Sequence, residues 1–171
     1  AGLAALAPVE IPLLALIESP AGVLDARACA AATNVIALMV GGEDLATALG
    51  GEATPEVLRV PKLLVHYAAR AEGKLSFGLL RSVSDYSDLD GIRAAAEEAH
   101  AHGFDGATCV HPSAVPILNL GFAPSAEEIN WARRVVDGAR VSDGAFSLDG
   151  QMIDKPVVER ARRILAQASR H

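Results

Sequence analysis

Pro12-Leu13-Leu14-Ala15-Leu16-Ile17-Glu18 and, beyond a helical stretch, Val35-Ile36-Ala37-Leu38-Met39-Val40-Gly41-Gly42-Glu43-Asp44 are the segments on which the fold turns. Each is a short, unbroken apolar run that ends in acid. Runs of this length, apolar on both faces and bounded by Gly or Pro, read as buried strands of a parallel sheet. If the two strands are parallel neighbours joined through a helix, their carboxyl ends share one rim, and Glu18 and Asp44 stand close together on it. Two convergent carboxylates suit a hard divalent cation such as Mg²⁺, which takes oxygen ligands.

Outward from this pair the chain alternates short apolar runs with Ala-rich helical stretches. Strands are expected over 12–17, 35–40, 75–80 and 107–110, and helices over 22–32, 44–49, 55–72, 88–102, 125–138 and 156–168. Gly103 stands where a helix C-terminus would stop. Ser125 and Glu128 have the spacing of a capping box, and Pro156 suits the first turn of the last helix. The pattern is α/β. It fits either an open doubly wound sheet or a (β/α)₈ barrel of the TIM type. A barrel usually needs ~250 residues, so on that reading roughly the first three strands are absent from the sequence. On that reading residues 1–140 are the C-terminal part of the barrel and 141–171 a C-terminal segment and helix. The sequence opens on Ala1, not Met, which is read as a processed chain or a piece of a longer one.

Composition narrows the function classes. The 171 residues are 51% hydrophobic with a net charge of −6 and no basic block, which argues against a nucleic-acid-binding surface. No apolar run approaches the ~20 residues of a membrane span. Cys29 and Cys109 lie far apart in apolar surroundings, so they read as buried thiols of a reducing compartment. A cytoplasmic protein is the expectation. HExxH, P-loop, GxGxxG and nucleophile-elbow patterns are absent.

Individually, the acidic residues admit ordinary structural roles. Glu18 alone reads as an ion-paired or capping carboxylate, and Asp44 as an acid favoured by a helix N-terminus. At the ends of successive strands, where active sites of parallel α/β folds gather, they read as metal ligands. Gly41-Gly42 permits a tight bend, and the amides of Gly42, Glu43 and Asp44 would form a seat for a small carboxylate. His111-Pro112 closes the last expected strand. The histidine reads either as a base or orienting donor or as a structural residue bonded to nearby backbone. Asp154, just ahead of the last helix, reads as a helix cap.

Together these segments resemble the HpcH/HpaI aldolase and citrate lyase β-subunit-like family. Leu16-Ile17-Glu18-Ser19-Pro20-Ala21-Gly22-Val23 is similar to its "IE(T/S)xxG" segment and Gly41-Gly42-Glu43-Asp44-Leu45 to "GxED(L/F)". Gly103-Phe104-Asp105-Gly106 with Val110-His111-Pro112 resembles "GFDGKxxIHP". Phe122-Ala123-Pro124-Ser125 and Gly150-Gln151-Met152-Ile153-Asp154-Lys155-Pro156 resemble "FxPS" and "GKMxDxP". Five motifs in order and spacing are highly specific. The resemblance implies a (β/α)₈ barrel with Mg²⁺ at the strand C-termini, and a carbon–carbon lyase acting on CoA thioesters such as citryl-CoA, malyl-CoA or citramalyl-CoA. It implies Glu18 and Asp44 as metal ligands and Asp154 as an acid/base reaching a neighbouring subunit's site in a trimer or hexamer. Gly42 and Glu43 would offer backbone donors to an oxo-acid carboxylate, and His111 and Pro112 would lie near the CoA path. Ala107 and Gln151 replace the family's usual lysines. Its N-terminal segment, with an active-site Arg, is not in the sequence, and a longer native protein is expected. The alternatives are a CoA-ester hydrolase or condensing enzyme on the same scaffold, and a non-catalytic barrel fragment.

Overall fold

The computed structural model describes residues 11–82, 84, 86–142 and 144–169. Two compact units result, one extending to Phe122 and one beginning at Ala123.

In the first unit, β1 (Leu13–Ile17), β2 (Val35–Val40) and β3 (Leu75–Phe77) form a parallel sheet in the order β1-β2-β3. The β1–β2 register pairs Ala15 with Leu38 and Ile17 with Val40 after an irregularity between Leu13 and Leu14. Ala15, Ile17 and Leu38 therefore face one way. They pack against Val23 of α1 (Pro20–Leu24), Ala26 and Ala30 of α2 (Ala26–Ala30), and Val65 and Ala69 of α4 (Pro55–Ala71). Leu45 of α3 (Gly42–Leu49) joins the same core. The expected single helix over 22–32 is these two short turns, which meet at Asp25. The sheet's other face carries Leu14, Leu16 and Leu75, each more than 40% exposed. The strands are apolar on both faces, as read, but among the described residues only one face is covered.

A second core joins α5 (Leu89–Ala101) to α6 (Ala114–Phe122) through Ile92, Ala96, Ala99 and Leu118, with Leu79, Leu80 and Phe104. The reading by pattern does not foresee α6, because Pro116 and Gly121 read as breakers. Pro116 falls in the first turn, where its missing N–H costs nothing. Gly121 is where α6 meets α5, and a Cβ there would lie 2.5 Å from the Ala96 Cβ.

The expected strand over 107–110 does not form. The edge of β3 is stitched instead by the turn before it. The Ser76 amide donates to the Asp105 carboxylate at 2.8 Å, the Asp105 amide to the Ser76 carbonyl at 2.9 Å, and the Gly78 amide to the Gly106 carbonyl at 2.9 Å. One parallel bridge, Phe77 with Gly106, is all that remains of the pairing. Asp105 is also paired with Arg70 at 3.1 Å. The Gly-Phe-Asp-Gly sequence is thus a clasp: Gly103 takes φ +89° after α5, and Phe104 is buried beneath the stacked ring of His66. Cys29 and Cys109 are free and half-buried rather than fully buried.

In the second unit α7 (Ala126–Arg140) and α8 (Lys155–Ala168) enclose Ala132, Val135, Ile153 and Ala161 with the antiparallel hairpin β4 (Phe146–Leu148) and β5 (Gln151–Ile153). Its turn is Asp149-Gly150, both at positive φ, the signature of a two-residue primed turn. The Ser125–Glu128 capping box forms in both directions, at 3.1 and 2.8 Å.

Gly121→Val is expected to lower the unfolding free energy by about 1–3 kcal/mol through overpacking against Ala96. Thermal melts read this directly. Gly144→Ala, where a Cβ meets nothing within 4 Å, should leave the midpoint nearly unchanged.

Candidate metal and carboxylate site

The site is built where β1 and β2 end together. The Gly41 amide donates to the Ile17 carbonyl at 3.0 Å, extending the strand pairing one step past Val40. Glu18, the next residue of β1's chain, therefore lies against Gly41. A Cβ on Gly41 would stand 2.7 Å from both Cγ and Oε1 of Glu18, so only a bare α-carbon admits the carboxylate here.

Gly41 is also the N-cap of α3, which brings Glu43 and Asp44 into the first turn. The first amides of a helix have no acceptor within it. Side chains cap α4, α5, α7 and α8, namely Thr54, Asp88, Ser125 and Asp154. At α3 a glycine stands in that position and no side-chain bond is made. The amides of Gly42, Glu43 and Asp44 thus start a helix whose dipole favours an anion. Buried Leu45 and Ala46 anchor this turn on the core.

Glu18 and Asp44 are both exposed. Among the described residues neither carboxylate is engaged in a hydrogen bond or ion pair. Nor does any group of three or more His, Cys, Asp and Glu gather there. Two unengaged carboxylates are a set that fits Mg²⁺, which commonly binds through one or two carboxylates and keeps several waters. Glu43 is different, since its carboxylate accepts the Ser82 hydroxyl. One of its carboxylate oxygens is thus engaged, unlike those of Glu18 and Asp44.

Lys62 of α4 escapes the sequence reading. It is 5% exposed, and its Nζ donates to the carbonyls of Leu79 at 2.9 Å and Arg81 at 2.7 Å. Burial pushes its pKa down to about 8, and the nearby Glu43 charge opposes the shift. The signal was available: Leu58, Lys62, Val65 and Ala69 follow a helical period, and all are buried.

His111 is exposed. Its ring stacks on Tyr86 with centroids 4.7 Å apart, and its Nδ1 lies 2.8 Å from the Ser113 hydroxyl. The Ser113 amide donates to Nδ1 at 3.2 Å, which makes Nδ1 an acceptor and leaves the proton of the neutral ring on Nε2. Pro112 beside it is exposed as well. Asp154, in the second unit, caps α8: its Oδ1 accepts from the Val157 amide at 3.4 Å. A cleft of that unit runs past it, lined by Gly144, Lys155, Glu159 and Arg162.

Comparison with known proteins bears on this geometry. The sequence model of the HpcH/HpaI aldolase/citrate lyase family matches residues 5–112. A citrate lyase subunit beta-like protein of Mycobacterium tuberculosis is 36% identical over 170 residues, covering 95% of this chain and 61% of its own length. A (3S)-malyl-CoA thioesterase of Cereibacter sphaeroides is 34% identical over 172 residues, covering 96% of this chain and 59% of its own. Among solved structures, the M. tuberculosis protein CitE in complex with magnesium, acetoacetate and coenzyme A superimposes with a TM-score of 0.86 at 35% identity. That likeness covers 97% of this chain and 63% of CitE. The chain thus spans about six tenths of the length of these relatives. The fold is α/β of the (β/α)₈ barrel type. In such a barrel the sheet face opposite the helices turns inward, and that is the face bearing Leu14, Leu16 and Leu75.

Two outcomes follow from the site's geometry. Gly41→Ala would push the Glu18 carboxylate aside at little cost to folding, because the atoms it meets are the end of a flexible side chain. Divalent-cation affinity, titrated calorimetrically, is expected to fall about tenfold with the melting temperature nearly unchanged. Lys62 binds its proton less tightly in the folded protein (about 8 against an ordinary 10.5), so the unfolded chain holds more protons between those values. Stability should therefore rise with pH across that window relative to Lys62→Arg, whose guanidinium does not titrate there. Denaturant unfolding of both proteins at intervals across the window checks the sign.

Proposed function

Since the chain belongs to the HpcH/HpaI aldolase/citrate lyase family, whose members include citrate lyase and aldolase-type enzymes, we propose that it serves an Mg²⁺-dependent carbon–carbon lyase. The substrate class is the CoA thioester of a hydroxy acid, such as citryl-CoA, malyl-CoA or citramalyl-CoA. The observation that carries this reading is the pair of unengaged carboxylates, Glu18 and Asp44, flanking a helix N-terminus capped by a bare glycine. The CitE complex with magnesium, acetoacetate and coenzyme A supports it, since the three ligands together represent a cation, an oxo acid and the CoA carrier.

In this reading Glu18 and Asp44 hold the cation. When bound, Mg²⁺ supplies Lewis acidity toward the carboxylate and adjacent oxygen of a 2-oxo or 2-hydroxy acid. The amides of Gly42, Glu43 and Asp44 orient that carboxylate at the head of α3. In cleavage the hydroxyl gives up its proton to a base. The carbon–carbon bond breaks as the carbonyl forms, and the acyl-CoA fragment leaves as a thioester enolate that then takes up a proton. Asp154 is the proposed proton carrier. Its Oδ1 is occupied by the Val157 amide, which leaves Oδ2 for the transfer. Asp154 would act at the site of a neighbouring subunit, with the C-terminal segment 141–171 reaching across in a homotrimer or hexamer. His111 and Pro112 would border the CoA path beside the Tyr86 ring. Among the described residues no helix is long and apolar enough to cross a membrane.

A second reading, a thioesterase on the same scaffold, is favoured by the likeness to the (3S)-malyl-CoA thioesterase. Both reactions share the metal pair, and the product separates them: a lyase yields a shorter acyl-CoA and an oxo acid, whereas a thioesterase yields free CoA.

The test is turnover of malyl-, citramalyl- and citryl-CoA by the native protein with and without Mg²⁺, with products resolved by chromatography. Glu18→Ala and Asp44→Ala should each abolish Mg²⁺-dependent turnover. Asp154→Asn should cut turnover at saturating substrate by ~10²-fold or more, the usual worth of a positioned acid/base. Intact turnover in the first pair sinks the metal assignment, and an unchanged Asp154→Asn removes that residue from the reaction.

A further inference from the structure

A buried ammonium with no carboxylate in direct contact is costly, and a helix position packed between Leu58 and Val65 would accept Leu or Met with less penalty. What Lys62 does there must come from its bonds. Its Nζ takes the carbonyls of Leu79 and Arg81 at 2.9 and 2.7 Å. These carbonyls lie beyond Phe77, where β3 and its ladder have ended. The same Nζ lies beneath the start of α3. A Cβ on Gly42 would be 3.6 Å from it and 2.9 Å from Cδ1 of Leu58. On the solvent side of the same junction, Ser82 donates to Glu43. The loop after β3 is thus bonded to the first turn of α3 directly by Ser82 on Glu43, and bonded to α4 by Lys62, whose ammonium packs close to Gly42 of that turn. Asp44 is the next residue of that turn.

We propose that Lys62 is a positioning residue of the metal site: by holding the Leu79 and Arg81 carbonyls under Gly42, it locks the loop after β3 against α3 and so fixes Asp44 on the rim that carries Glu18. This rests on the reading of Glu18 and Asp44 as the cation-holding pair. The ammonium itself touches neither carboxylate. It acts through the backbone of residues 79–82 and the seat of Gly42, so its removal should show as weakened cation binding beyond any loss of stability.

The experiment is calorimetric titration of the native protein with Mg²⁺, run beside thermal melts, for wild type and four variants. Lys62→Met removes the charge and the donors but keeps the length. Lys62→Arg restores donors to the two carbonyls. Ser82→Ala removes the direct bond to Glu43. Lys74→Met is the control, since that lysine reaches the Ala32 carbonyl at 3.5 Å near the opposite, amino end of the sheet. Expected are an affinity about tenfold or more weaker in Lys62→Met, the typical cost of losing a group that orients a metal ligand, and a smaller loss in the same direction in Ser82→Ala. Lys62→Arg and Lys74→Met should stay close to wild type. A folded Lys62→Met with wild-type affinity overturns the inference, as does an equal loss in Lys74→Met. If Lys62→Met does not melt cooperatively, Ser82→Ala decides, and unchanged affinity there overturns it. Absence of Mg²⁺ binding in wild type, by contrast, overturns the metal reading itself.

Discussion

The hydrogen bond from the Gly41 amide to the Ile17 carbonyl, 3.0 Å long, is the constraint from which the site follows. It exists because β1 and β2 run parallel with Ile17 opposite Val40. One step further along each chain, Glu18 meets Gly41, and α3 begins. A slip of one residue would turn Ala15 and Ile17 away from the helices and expose them, because strand side chains alternate between faces. The apolar contacts of the helix-covered face therefore hold the register, and the register delivers the carboxylate to the head of α3.

Glycine and lysine do unlike work at this junction. Gly41 and Gly42 contribute by lacking side chains, the first leaving room for the Glu18 carboxylate and the second letting α3 settle over Leu58 and Lys62. Lys62 contributes a charge where water cannot reach, and its cost is visible in a pKa near 8. Farther along the sheet Asp105 clasps the edge of β3 by bonding Ser76, with Arg70 at its back. Polar groups thus secure the ends of strands too short for their own ladders to do so.

Much of this was legible. The parallel strands, the acids in α3's first turn, the capping box at Ser125 and the cap at Asp154 all follow from chemistry between residues a few positions apart. Other features were not. The run over 107–110 has strand composition but no strand beside it to pair with, since Asp105 and Gly106 occupy the edge of β3. The α6 helix hides behind Pro116 and Gly121, whose effects depend on where in the helix they fall and what they face. Lys62 sits in plain helical period with buried neighbours, yet its partners lie 17 and 19 residues away, beyond the reach of local pattern.

By itself, then, the sequence determined the first parallel strands and most of the longer helices, the α/β class, and which acids end which strands, because hydrophobic period, caps and turns act between near neighbours in the chain. Its motifs also carried the family. The tertiary structure decided that Glu18 is exposed and unengaged, that Glu43 is tied to Ser82 while Asp44 is not, and that a lysine supports the turn between them. Those outcomes depend on strand register and on contacts between residues far apart in the chain. Only packing in three dimensions brings such groups together.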